Sequence, residues 1–163
     1  MRIQNILLQK MIEYYSGDPK RIQHFIKVHS FAKMIGELEE LDSNTQNILE
    51  IAAIVHDIGI KTSEEKYGNC NGKLQEQEGP ALAEPMLVTL NIDAKIIERV
   101  CYLIGHHHTY NNIDGLDYQI LVEADFLVNM YEDGMNKEAI ESACNKVFRT
   151  KSGIQLCNII FLR

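Results

Sequence analysis

The sequence predicts an all-α fold, a compact single-domain helical bundle, on three observations. Apolar residues recur at three- and four-residue steps in one segment after another. Helix-opening residues stand ahead of several of those segments, at Asp18-Pro19, Ser43 and Asp93. A chain of 163 residues with 45% hydrophobic content is also large enough to close one sizeable core. We read residues 1–163 as a single domain.

Ile3, Ile6, Leu7 and Met11 stand close to helical spacing, and Ser16-Gly17 breaks the pattern, which gives one short helix. Asp18 as N-cap and Pro19 at the first helical position open a second helix to about Glu40, with Val28, Phe31, Ile35 and Leu38 on its apolar face and His24 among them. His29 lies about 140° around that helix from His24 and reads as surface. Ser43-x-x-Gln46 resembles a capping box, and behind it Ile48, Ala52 and His56 recur every four residues, so His56-Asp57 ends a third helix. From Gly59 to Gly79 the chain turns polar without clear periodicity, which predicts a lid or binding loop.

Gly79-Pro80 opens a helix near Ala81 to Leu90, and Pro85 inside it should kink or shorten it. Asp93 caps a helix carrying Ile97, Val100, Cys101 and Ile104 into Gly105 and the triplet His106-His107-His108. After the loop TYNNIDGLD, the stretch YQILVEADFLVNMYED reads as a buried helix with Leu121, Asp125 and Val128 on one face. Asn136 to about Arg149 forms one more, and the apolar tail after Ser152-Gly153 is too short to assign to helix or strand.

A net charge of -7 with no basic run argues against a nucleic-acid groove, since a polyphosphate backbone needs a concentrated basic surface. Small phosphorylated substrates stay open, because a bound divalent cation supplies the positive charge locally. No run of about 18 apolar residues would span a bilayer, and MRIQNILLQKMIEYY is too regularly polar for a signal peptide, so we expect a cytoplasmic protein that makes no use of a membrane. Cys70, Cys101, Cys144 and Cys157 have neither C-x-x-C spacing nor a small secreted framework and read as reduced thiols rather than bridges or zinc ligands.

The residues that carry chemistry are polar groups on inward faces. His56-Asp57 closes the apolar run ILEIAAIV, and Asp125 lies between Ala124 and Phe126 on a buried face, where an aspartate must be paired, neutral or metal-bound. An ion pair with a basic residue of another helix is the alternative reading for Asp125, and a hydrogen-bonded core histidine for His24. Together, two imidazoles and two carboxylates suit a divalent ion such as manganese, iron(II), cobalt, nickel, zinc or magnesium. They leave coordination positions open for water and a phosphoryl oxygen.

RIQHFIKVHSFA, AAIVHDIGI and LVEADFLVNM, in that order, resemble the H…HD…D motifs of the HD superfamily of metal-dependent phosphohydrolases, over roughly residues 18–132. The resemblance implies an all-α bundle in which His24, His56, Asp57 and Asp125 hold one metal ion, and hydrolysis of a small phosphorylated substrate, a nucleotide above all. Binuclear members carry further histidines between the HD pair and the last aspartate. Ile104-Gly105-His106-His107-His108 fits one of their motifs, with His107 and His108 as the candidates for a second metal or for substrate phosphate. At the other this sequence has Gln75, Glu76, Gln77 and Glu78 and no histidine, so one tight metal and at most a weaker second is expected. Glu76 and Glu78 are candidates for a replacement ligand or a catalytic base, with a solvated acidic turn as the alternative. Arg21 and Lys61 are candidate phosphate partners, or plain solvated cations. Two other functions stay open: a metal-bearing nucleotide sensor without turnover, and a paired-iron oxygenase, which the missing histidine disfavours.

Overall fold

The computed structural model describes residues 2–163, which form nine helices and no strand. In chain order these are α1 (Ile3–Tyr14), α2 (Pro19–Leu38), α3 (Ser43–Val55), α4 (Gly59–Tyr67), α5 (Gly72–Val88), α6 (Ala94–Ile104), α7 (Leu116–Glu132), α8 (Lys137–Val147) and α9 (Lys151–Phe161). The most apolar segments lie deepest. Ile48 to Val55 of α3 are all buried, as are most residues of α7 from Asp117 to Met130, so both helices are covered on every side. α2 packs against both, α6 closes the core beside α3, and α1 lies across α3. Val28, Ala52, Val100 and Val128 meet in one apolar cluster. No helix among the described residues is long and apolar enough to cross a membrane.

Several boundaries differ from the sequence expectation. The segment Gly59–Gly79 is not a loop: α4 and the first half of α5 occupy it, with a break only at residues 68–71. Its helical pattern is weak in the sequence because the buried faces are built largely from small or polar residues, Gly59, Ile60 and Ser63 in α4, then Gln75, Gly79, Ala83 and Leu87 in α5. The four-residue spacing is intact but the apolar bulk is missing. Pro80 and Pro85 both lie inside α5, which runs on past them to Val88. Pro85 and Ala81 are both exposed, so the hydrogen bond that Pro85 cannot donate to the Ala81 carbonyl is lost on the outer side of the helix.

The third helix is capped by Asp42, whose carboxylate accepts from the backbone N–H groups of Asn44 and Thr45. Ser43 is therefore already helical, and Gln46 instead donates to the Lys33 carbonyl and Glu50. Leu38, at the very end of α2, is 59% exposed rather than part of the apolar face. His29 is not free surface: its ring meets Glu50 of α3 at 3.2 Å. Cys144 of α8 and Cys157 of α9 are joined as a disulfide, contrary to the reduced thiols expected. The packing of α8 on α9, invisible in a 13-residue spacing, brings their Cα atoms to 6.7 Å.

The tail after Ser152-Gly153 is helix α9, opened by Thr150, whose hydroxyl accepts from the Gly153 N–H. Fully buried Glu123 of α7 reinforces that start by accepting from the backbone N–H groups of Arg149 and Thr150, at 2.6 and 2.9 Å. Gly153 leaves room for the carboxylate, since a Cβ there would stand 1.9 Å from Glu123 Oε2. Gly153→Ala should destabilise the chain by about 1–3 kcal/mol, the usual range for forcing a methyl into a packed interior. Urea unfolding would check this, and an unchanged midpoint would show that α9 is not anchored through Glu123.

Candidate metal centre

Three elements deliver the polar groups to one point. α2 brings His24, the C-terminal end of α3 brings His56 and Asp57, and the middle of α7 brings Asp125. His24 Nε2 lies 3.3 Å from His56 Nε2, 3.2 Å from Asp57 Oδ2 and 3.2 Å from Asp125 Oδ1. His56 Nε2 lies 3.3 Å from Asp57 Oδ2 and 3.6 Å from Asp125 Oδ1. The backbone of this corner is held by Tyr15, whose hydroxyl donates to the Asp57 carbonyl at 2.6 Å. Gly59 then lets the chain pass close under α5, where a Cβ would meet the Gln75 carbonyl oxygen at 2.7 Å.

The His106–His108 turn supplies a fourth edge. His107 is fully buried, with Nε2 3.4 Å from Asp57 Oδ1. His108 is half-buried beside it, while His106 stacks on Tyr102 away from the cluster. Asp57, His107 and His108 form a second group able to hold a cation, sharing Asp57 with the group of His24, His56 and Asp57.

The donor set fits a metal ion. Each of three imidazoles spends Nδ1 on a fixed acceptor: His24 on Glu132 Oε2 at 2.8 Å, His56 on the Ala53 carbonyl at 2.8 Å and His107 on the Ile104 carbonyl at 2.7 Å. An imidazole that donates through Nδ1 turns its Nε2 lone pair to the other side, and such outer partners commonly orient metal-binding histidines. His107 Nε2 is buried without a hydrogen-bond partner among the described residues, which a cation there would satisfy.

Charge pairing dominates the metal-free site. Burial pulls both imidazoles down, but hydrogen bonds and charge from Asp125 and Asp57 outweigh it, holding His24 at about 11 and His56 at about 10. Burial likewise pushes the carboxylates up. The charge of His56 and the contacts of His107 and His24 still hold Asp57 well below the usual range, and hydrogen bonds from His24 and His56 do the same for Asp125. His108 behaves oppositely: burial and neighbouring His107 press it down to about 4, so it is neutral.

Other candidates fall elsewhere. Glu76 accepts from the His108 N–H and the Thr109 hydroxyl, both at 2.9 Å, and braces the histidine turn. Glu78 pairs with Lys66 at 2.7 Å and accepts from Tyr67 at 2.9 Å. Neither lines the cavity above the cluster. Gln75 does, with its amide nitrogen on the Cys70 carbonyl at 2.6 Å and its oxygen 2.8 Å from His108 Nε2, which must carry the proton. Arg21 lines the cavity too, bonded to Asp18 at 2.7 Å and Glu64 at 2.5 Å. Lys61 lies in a neighbouring groove, its ammonium 5.4 Å above the Tyr14 ring.

Sequence reasoning missed Gln75, Asn129, Glu132 and Lys20. Asn129 donates to Asp125 Oδ1 at 2.9 Å, and Glu132 joins His24 to Lys27, whose ammonium lies 2.6 Å away. A signal was present, for Asp125, Asn129 and Glu132 follow at four and three residues, a polar stripe on an apolar helix. Glu132→Gln should weaken metal binding about 10- to 100-fold, the usual consequence of losing an outer partner. Competition with a chelator would measure it, and unchanged affinity would leave Glu132 as a partner of Lys27 alone.

An all-helical bundle that converges imidazole nitrogens and carboxylates on an open cavity offers the donor set of a metal site. The chain belongs to the HD domain family, whose model matches residues 21–144. A crystal structure of a predicted HD superfamily hydrolase from an uncultured Thermotogales bacterium is similar, at 25% identity and a TM-score of 0.68, covering 95% of this chain and 83% of that one. No curated protein matches.

Proposed function

We propose that this protein is a metal-dependent phosphohydrolase acting on a small phosphorylated molecule, with one divalent ion held tightly by His24, His56, Asp57 and Asp125. The observation that carries the reading is the convergence of the imidazole Nε2 atoms on Asp57 and Asp125, at the floor of a cavity of about 300 Å³. When bound, the ion supplies Lewis acidity toward a phosphoryl oxygen and a more acidic water at neutral pH. Glu132 and the Ala53 carbonyl fix the rings of His24 and His56, and Asn129 fixes the Asp125 oxygen, so the ligands need little reorganisation on loading. Asp57 faces His107 as well as His24 and His56, so it would serve both the main ion and any weaker second ion held by His107 and His108.

Phosphomonoesters, nucleotides included, are the first substrates to try, and phosphodiesters the second. The test supplies the chain with manganese, iron(II), cobalt, nickel, zinc and magnesium in turn, counts retained metal by elemental analysis, and assays release of phosphate. Metal retention with turnover of at least one ester class is expected. Retained metal without turnover of any ester would favour a binding role instead.

A further inference from the structure

The cavity above the ligands is unusual in what it lacks. No Phe, Tyr or Trp lines it, its two imidazoles pack on neighbouring rings, His24 against His56 at 5.3 Å and His108 against His107 at 4.0 Å between ring centres, and Ile60 and Cys70 are its only weakly polar walls. A nucleobase is ordinarily held by stacking on an aromatic face, worth about 1–3 kcal/mol per base. The adjoining groove does contain Tyr14 and Tyr15, but the two rings pack edge to face on each other at 4.9 Å. Lys61 holds its ammonium 5.4 Å over the Tyr14 ring, Tyr15 is 3% exposed, and Arg21, bonded to Asp18 and Glu64, sits between groove and cavity.

What the cavity does offer is two charges with no ion-pair partner among the described residues. Lys20 lies in the first turn of α2 and Asp133 at the C-terminal end of α7, both exposed and both lining the cavity. Asn129 lies beside Asp133 with its amide nitrogen committed to Asp125, which leaves its oxygen as an acceptor. A carboxylate and an amide oxygen select donors such as hydroxyl groups. Carboxylates also outnumber cations along the walls, which disfavours a second or third phosphate on the ligand.

We propose that this cavity takes the monophosphate of a small polyhydroxylated compound, a sugar or polyol phosphate, with Lys20 on the phosphate and with Asp133 and Asn129 on the hydroxyl groups. The proposal rests on the phosphohydrolase reading and narrows it from nucleotides to base-free esters. Arg21 is then a wall held by its own carboxylates, and Lys20 is the phosphate-binding cation.

The full chain, loaded with whichever metal gives turnover, is compared on ribose 5-phosphate, glycerol phosphates, hexose phosphates and the four common nucleoside monophosphates. The best sugar or polyol phosphate should exceed the best nucleotide in kcat/KM by at least about tenfold, the discrimination expected of a site built around hydroxyl partners. Binding is read separately by calorimetry, with a non-hydrolysable sugar phosphonate against a nucleoside phosphonate, and should follow the same order. Asp133→Ala should lower the ratio of kcat/KM for ribose 5-phosphate over phenyl phosphate about tenfold, the loss of one hydrogen bond to a charged group. Lys20→Met should raise KM for every ester and weaken competition by inorganic phosphate. A preference for nucleotides, or an Asp133→Ala ratio equal to that of wild type, overturns the proposal while the hydrolase reading stands. Absence of turnover with every metal overturns the hydrolase reading itself, and absence of phosphonate binding as well overturns this proposal with it.

Discussion

Asp57→Asn should strip the protein of its metal and of any phosphohydrolase activity together, the largest functional effect expected of a single substitution here. Asp57 is the one side chain common to both cation-holding groups, and its two oxygens face different partners: Oδ2 faces His24 and His56, and Oδ1 faces His107. An asparagine keeps the shape but offers one neutral oxygen in place of two charged ones. Metal affinity should fall by more than about 100-fold, beyond the loss that follows removal of an outer partner. The metal-free fold should lose roughly 3–5 kcal/mol as well, because Asp57 is a counter-ion of His24 and His56, while the Tyr15 hydroxyl still holds the backbone carbonyl at this corner. Elemental analysis after dialysis, with circular dichroism on the same sample, measures both. A folded variant that retains a full complement of metal would remove Asp57 from the ligand set.

How far the sequence reveals this molecule depends on where bulk and polarity coincide. α2, α3, α6 and α7 carry large apolar residues at helical spacing, and their positions, with His24, His56, Asp57 and Asp125 on inward faces, follow from pattern alone. α4 and the start of α5 were illegible because a glycine, a serine and a glutamine do the burying there. For the same reason the sequence points to the acidic Glu76 and Glu78 rather than to Gln75, the residue that faces the cavity. Partnerships are the other illegible class. That Arg21 is held by Asp18 and Glu64, or that Lys61 rests over Tyr14, depends on how helices cross. Spacing along the chain carries no such information between elements.

Asp125→Asn should act on two states of the protein in different ways. In the metal-free fold the Asp125 carboxylate lies against two imidazoles whose pKa it raises, so it is a counter-ion there, and under the proposed function it is also a ligand when metal is bound. Histidines whose folded pKa lies above the unfolded value near 6.5 stabilise the fold fully below 6.5, and lose that contribution as pH rises through about 10 and 11. Aspartates held below 3.8 contribute above that value and lose it as pH falls. The cluster therefore supports the metal-free fold most between about pH 4 and 6.5, and its support fades with alkali. In chelator near pH 6, Asp125→Asn should cost roughly 3–5 kcal/mol, the usual penalty for stranding a buried charge, and the deficit should shrink toward pH 10. Metal loading runs the other way, since an incoming ion must displace the imidazole protons: stabilisation of wild type by manganese should grow with pH, and the variant should gain little at any pH. Thermal melts of both proteins, in chelator and in manganese across that range, measure the two effects independently. Equal stabilisation of both by manganese would leave Asp125 as a counter-ion only, and a variant as stable as wild type in chelator near pH 6 would deny it even that.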